Sequence, residues 1–129
     1  MLKAVIVDAN AISRGLLNTV LTDGGYKVVG QTHTPGQGYA LLQKFEPHFF
    51  CIAREQVEEG SNIVEQIRAT YPKTLVLMMS GNLDAPTIQA AVQRGVHGFI
   101  VKPFKGDAVL KTIRTAVLNM VKKQQEQAP

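Results

Sequence analysis

The sequence predicts an α/β domain in which five βα units build an open, doubly wound, parallel sheet of strand order 2-1-3-4-5. Three observations lead there. Short apolar runs alternate with longer amphipathic segments along the chain. The apolar runs are continuous rather than alternating, as in strands covered on both faces. Glycine or proline marks most of the junctions between segments. Five such units are too few to close a (β/α)₈ barrel, so an open sheet of flavodoxin-like order is the expected architecture.

The elements follow in order. Residues 3–7 form the first apolar run, and Asp8 and Asn10 end it. From residue 11 to 22, Ile12, Leu16, Leu17, Val20 and Leu21 recur at helical spacing, and Gly24 and Gly25 close that helix. Residues 26–29 read as the second strand. Thr34 is a natural cap for a second helix, with Pro35 in its first turn and Tyr39, Leu41, Leu42 and Phe45 on its inner side. After Pro47, residues 48–52 form the third strand, and residues 54–60 read as polar and irregular. Residues 62–71 form a third helix with Ile63, Val64 and Ile67 inward, stopped by Pro72. Residues 74–79 are the longest apolar strand. Pro86 suits the first turn of a fourth helix running to Arg94, which Gly95 closes. Residues 98–101 form the fifth strand. A last helix carries Val109, Leu110, Ile113, Val117, Met120 and Val121. The domain is therefore expected to occupy residues 1–123, with residues 124–129 a frayed polar tail or the start of a linker.

Composition narrows the function classes. The chain of 129 residues is 45% hydrophobic and 19% charged, ordinary for one globular domain. Its single cysteine, Cys51, lies in an apolar strand, which excludes an internal disulfide and fits a reducing compartment. No apolar run approaches the roughly 20 residues that span a bilayer, and the start of the chain does not resemble a signal peptide. A cytoplasmic location without membrane contact is expected. The formal charge of +4 weakly favours anionic partners. The basic residues are scattered apart from Lys122 and Lys123, so direct nucleic-acid binding is disfavoured.

In an open sheet of this type, function gathers outside the carboxyl ends of the strands, at the switch point between the first and third. Asp8, Ala9, Asn10, Ala53, Arg54, Glu55, Ser80, Gly81, Lys102 and Pro103 fall there. Neither a GxGxxG nor a GxxxxGK[ST] loop follows the first strand, so nucleotide binding by those routes is disfavoured. No serine sits in a GxSxG elbow. His33, His48 and His97 are far apart in sequence, no metal-ligand spacing appears, and Cys51 reads as a small core group. What remains is one carboxylate after strand one (Asp8), one hydroxyl after strand four (Ser80) and one lysine after strand five (Lys102, followed by Pro103).

These residues make the chain resemble the response-regulator receiver family, the CheY-like domains of two-component phosphorelays, from Lys3 to about Lys122. The strongest segment is Val96-His97-Gly98-Phe99-Ile100-Val101-Lys102-Pro103-Phe104. Leu77-Met78-Met79-Ser80-Gly81 and Glu46-Pro47-His48-Phe49-Phe50-Cys51-Ile52 support it. The resemblance implies a phosphoacceptor aspartate at the end of strand three and an acidic pair after strand one. These oxygens hold a magnesium ion that offsets charge in phosphoryl transfer from a histidine kinase. It also implies a hydroxyl and a lysine that contact the phosphoryl oxygens, and an aromatic on strand five that changes rotamer. Carried over, Asp8 and Ala9 match the acidic pair, Ala53 the phosphoacceptor, Ser80 the hydroxyl, Phe99 the aromatic, and Lys102 and Pro103 the lysine and its proline. The Lys102–Pro103 peptide is expected to be cis. The loop Arg54-Glu55-Gln56-Val57-Glu58-Glu59-Gly60 lacks the family's usual Met-Pro and is about one residue shorter.

Alanine offers neither a nucleophile nor a metal-binding oxygen. The chain is therefore expected to be a degenerate, non-enzymatic receiver with little affinity for magnesium. Lys102 is expected to pair with Asp8, with Glu55, Glu58 and Glu59 as open alternatives. Signalling would run through protein contact on the fourth helix, fifth strand and last helix, where Ile88, Gln89, Val92, Phe99, Lys105 and Lys111 lie. The expected partner is a histidine kinase, an output domain, another regulator or a second copy of the chain. Two alternatives stay open: phosphorylation at a non-standard carboxylate, and a flavodoxin-like binder of a small ligand.

Overall fold

In the computed structural model, which describes residues 1–127, the elements run β1 (Lys3–Val7), α1 (Ala11–Asp23), β2 (Lys27–Thr32), α2 (Pro35–Phe45), β3 (Phe49–Ala53), α3 (Arg54–Glu58), α4 (Ile63–Thr70), β4 (Leu75–Ser80), α5 (Ala85–Arg94), β5 (Gly98–Val101) and α6 (Gly106–Gln127). All strand pairs are parallel and the order is β2-β1-β3-β4-β5, as expected from sequence. Every residue of β3 and β4 is buried, which accounts for their unbroken apolar runs.

The sheet divides the core in two. One layer joins Ile6, Cys51, Leu77, Met79 and Ile100 to Leu17 and Leu21 of α1 and to Val109, Ile113 and Ala116 of α6. The other joins Val5, Val7, Phe50, Ile52 and Met78 to Leu42 of α2, Val57 of α3, Ile63, Val64 and Ile67 of α4, and Ala91 of α5. Each fully buried aliphatic or aromatic side chain contributes on the order of 1.5–3 kcal/mol, so the two layers dominate the stability.

Polar side chains cap the helix starts, at Thr34 as the sequence suggests and at Asn10, which the sequence analysis read only as the end of the first strand. Asn10 Oδ1 accepts the Ile12 and Ser13 amides (both 3.0 Å), and Thr34 Oγ1 accepts the Gln37 amide with Pro35 opening α2. Asp84 caps α5 by accepting the Thr87 amide at 3.0 Å. Hydrogen bonds from Thr87 hold its carboxyl below the usual aspartate range.

Three elements depart from expectation in ways the packing explains. β2 runs on to Thr32 instead of ending at residue 29. Gly30 discourages a strand on propensity, yet it pairs with Val5, and any Cβ there would press on the Leu41 side chain at 2.9 Å. Close approach of α2 to the sheet explains the glycine. The segment expected to be irregular after β3 forms the short helix α3, because Val57 and Gln56 are buried and tie it to the core. The last helix continues through residues 124–127 rather than fraying at 124, while residues 128–129 of the expected tail lie outside the described residues. Val121 is 43% exposed, so it is not a core position of that helix. Among the described residues no helix is long and apolar enough to cross a membrane.

Candidate functional site

The carboxyl ends of β1, β3 and β5 surround a depression of about 270 Å³ lined by Asp8, Ala9, Ala53, Glu55, Gln56 and Lys102, together with Asn10. Asp8 leaves β1 at a position only 3% exposed. Burial of a carboxylate demands partners, and Asp8 has one on each oxygen. Its Oδ2 accepts the Lys102 ammonium at 2.7 Å, and its Oδ1 accepts the Asn10 amide at 2.9 Å. The Asp8 carbonyl oxygen accepts from Arg14 Nη1 of α1 at 2.6 Å. The Lys102 partner expected from sequence is the one found. Glu58 is engaged elsewhere, in an i,i+4 pair with Arg54 at 3.1 Å, and neither Glu55 nor Glu59 bridges to Lys102.

Ala53 is the last residue of β3 and is 1% exposed. Its methyl group belongs to the α1–α6 core layer, so the strand end opposite Asp8 presents hydrocarbon. Ala9 is exposed at the rim of the depression. The Ser80 hydroxyl turns away from the site: it donates to the Asn82 carbonyl at 3.0 Å and accepts the Asn82 amide at 3.1 Å. Sequence reasoning places Ser80 at the strand end correctly, but its hydroxyl is occupied by the turn after β4.

Two further residues shape the site through contacts that the sequence analysis did not assign to them. Gln56 of α3 donates through Nε2 to the His33 carbonyl at 2.6 Å, fastening the start of α3 to the end of β2. Its Oε1 is buried without a partner. Arg54, besides pairing with Glu58, donates to the Asn82 carbonyl at 3.3 Å and so links the ends of β3 and β4. Neither contact has a signature in sequence, because both join segments that only the fold brings together.

The Lys102–Pro103 peptide is cis. Beyond it, Phe99, Pro103, Lys105, Ala108 and Thr112 line a separate groove of about 350 Å³ between β5 and α6. Phe99 is half-buried on the side of the sheet that carries α5. On α5, Ile88 is half-buried while Gln89 and Val92 are exposed, and Lys105 and Lys111 extend into solvent. Val101, which the sequence analysis did not single out, is 58% exposed at the end of the edge strand.

The geometry thus gives a doubly wound sheet of order β2-β1-β3-β4-β5 with an Asp–Lys pair and a cis Lys-Pro at its switch point. Residues 4–114 match the response regulator receiver domain. The chain belongs to the response regulator receiver family. This receiver is 27% identical over 117 residues to the chemotaxis protein CheY of Listeria monocytogenes, covering 90% of this chain and 98% of that one. It is 26% identical over 112 residues to the CheY of Bacillus subtilis, covering 86% and 93%. Among solved structures, the chemotaxis response regulator CheY4 of Vibrio cholerae superposes with a TM-score of 0.80 at 24% identity, covering 90% of this chain and 98% of that one. Receivers are signalling domains of two-component systems that work with histidine kinases, output domains or other regulators.

Proposed function

We propose that this receiver signals by protein contact and does not take up phosphate at the end of β3. The observation that carries this reading is the pairing of Ala53 with Ala9 around a single buried carboxylate, Asp8, both of whose oxygens are already engaged, while Glu55 of the same depression is exposed. Phosphoryl transfer needs a nucleophilic oxygen and cationic relief of the accumulating charge. Alanine at 53 offers no nucleophile. A magnesium ion takes hard oxygen ligands in near-octahedral array. The residues at this switch point do not fit it: Ala9 and Ala53 contribute no oxygen, and Asp8 is neutralised by Lys102. The same two contacts oppose Asp8 as a substitute acceptor.

The docking face in this reading is built from α5, β5 and α6 and lies in the cytoplasm. Support comes from exposed Val92 (54%) and Val101 (58%) beside the open edge of β5, with Phe99 between helix and strand and Lys105 and Lys111 as cationic flanks. Exposed apolar side chains beside an unpaired strand edge favour a protein partner over solvent. A second copy of the chain is the first partner to test.

Incubation with acetyl phosphate and magnesium, followed by intact mass measurement, tests the first half. No adduct is expected, and a labile gain of about 80 Da would overturn the proposal. Light scattering of the protein and of a Val92→Glu, Val101→Glu variant tests the second. A loss of self-association or of partner capture in the variant is expected; an unchanged profile of a demonstrable complex would place the contact elsewhere.

A further inference from the structure

On the opposite edge of the sheet from Asp8, α4, the turn before β4, the turn before β5 and the second half of α6 enclose a cavity of about 380 Å³. Its apolar wall is Leu75, Ala116 and Met120, with Pro72. Arg68, Lys73, Lys123 and His97 also line it, and no aspartate or glutamate does. We propose that this cavity is a binding site for a small phosphate monoester with an apolar body, a site separate from the degenerate acceptor pocket.

The cations are free to serve it. Among the described residues, the ion pairs are Arg54–Glu58, Arg94–Glu65 and Lys102–Asp8, so Arg68, Lys73 and Lys123 are not paired to a carboxylate. Arg68 is held in place rather than loose. Gly95 has a φ of +117°, and a Cβ there would meet Arg68 Cγ at 2.5 Å, so the arginine stem lies across the bare glycine. One end of its guanidinium, Nη1, donates to the Pro72 carbonyl at 3.0 Å. A guanidinium fixed in this way loses less entropy on binding an oxyanion than a free one.

His97 adds a directed donor. Its Nδ1 accepts the Val76 amide at 3.0 Å, so the neutral ring carries its proton on Nε2, the nitrogen left for a ligand. Burial first, then the charges of Arg68 and Lys123, lower its pKa to about 4, which keeps the ring neutral near pH 7.

The combination selects the ligand class. Three unpaired cations and one neutral N–H donor suit a dianionic head. The wall of leucine, alanine, proline and methionine suits a hydrocarbon or aromatic body. A volume at the small end of ligand cavities, which start at about 300 Å³, limits that body to roughly one ring. A bare inorganic ion would leave the apolar wall unused, and a neutral aromatic would leave the cations unused. A ligand here would touch α4, β4 and α6 together, and so would tie the last turns of α6 to the sheet.

The test uses phenyl phosphate as probe with the isotopically labelled full chain, followed by amide NMR. Saturable shifts at Leu75, His97 and Met120 are expected at millimolar concentration, with the Asp8 and Lys102 amides unmoved. Lys73→Gln and Lys123→Gln, both at exposed positions, should each weaken binding about tenfold through loss of a charge-assisted contact. Inorganic phosphate and benzyl alcohol should each bind at least about tenfold more weakly than phenyl phosphate. Absence of saturable shifts would overturn the proposal, as would shifts that survive the double lysine variant. Inorganic phosphate binding as tightly as phenyl phosphate would also overturn it, since it would mark an ionic surface patch and not a site for an apolar body.

Discussion

Replacing Lys102 by methionine strips Asp8 of its cation while leaving the carboxylate in place, with its side chain 4% exposed. At the observed 2.7 Å, the Coulomb attraction at an effective dielectric of 20 is on the order of 6 kcal/mol. Desolvation of the two ions offsets part of that. Breaking a buried pair from one side costs about 3–5 kcal/mol. The Lys102 side chain keeps 22% exposure, which places this pair near the lower bound. Lys102→Met should therefore destabilise the receiver by about 3 kcal/mol. Asp8→Asn should cost less, about 1.5 kcal/mol, because the released ammonium swings into water while an amide oxygen still accepts from Asn10. The double variant, with neither charge, should cost about 2 kcal/mol, well short of the sum of the single changes. Urea unfolding reads this directly. With a slope of about 1.5–2 kcal/mol/M, the Lys102→Met midpoint should fall by roughly 1.5–2 M. Strict additivity in the cycle, or a Lys102→Met cost below that of Asp8→Asn, would show that the pair is not a buried constraint on the switch point.

Ala53→Asp alone should remain unphosphorylated by acetyl phosphate and magnesium in a mass assay, while Ala9→Asp with Ala53→Asp gains a measurable adduct; efficient labelling of the single variant would show that Ala9 matters less than proposed. Gly38→Ala should lower the melting temperature by roughly 3–5 °C: the new Cβ would press on Val7 Cγ2 and stand 3.1 Å from Phe50 Cζ, and about 1–3 kcal/mol of overpacking outweighs about 1 kcal/mol of helix propensity, a net cost of about 1 kcal/mol. His97, with its pKa lowered from 6.5 to about 4, binds its proton more readily in the unfolded chain, so its contribution is present above pH 6.5 and is lost as pH falls toward 4. After discounting for its partial exposure this amounts to about 1–2 kcal/mol, and His97→Asn, which keeps an acceptor for the Val76 amide, should flatten that part of the stability–pH curve. Burial pushes the Cys51 thiol up to about 12, so iodoacetamide at pH 8 should label the native protein only at the rate of unfolding; rapid labelling would mean that β3 opens locally.

The strands were legible because burial on both faces leaves a continuous apolar run, and the helices because apolar residues recur at helical spacing and Thr34 with Pro35 marks a start. The end of β2 was not legible, since Gly30 reads as a strand breaker until Leu41 is seen lying over it. α3 was missed because its five residues are too few to show a period, and only Gln56 and Val57 turn inward. Within the site, Asp8, Ala53 and Lys102 could be placed from the strand-end rule, and the Asp8–Lys102 bond follows from their proximity once burial is known. The contacts of Gln56 with His33 and of Arg54 with Asn82 join residues 23 and 28 apart in the chain, a separation that local pattern cannot bridge. His48 and His97 illustrate the same limit. Each imidazole accepts through Nδ1 a backbone amide at the start of a neighbouring strand, of Lys3 and Val76, so both histidines make a structural bond that is invisible until the register is known.

The electrostatics of the switch point give the retained fold a physical logic. In a receiver with several carboxylates at the strand ends, like charges crowd a small volume and destabilise it until a cation arrives. Here the one buried carboxylate meets one ammonium, so the strand ends are close to neutral without a metal. With alanine at position 53, no unpaired buried charge is left at these strand ends to penalise folding. With Ser80 committed to Asn82 and Arg54 bridging β3 to the same residue, the loop after β4 is held by internal bonds. In the reading proposed above, a signal that reaches Phe99 and the α5–β5–α6 face would come from binding outside this pocket, since Ala53 offers no nucleophile and both oxygens of the buried Asp8 carboxylate are already bonded.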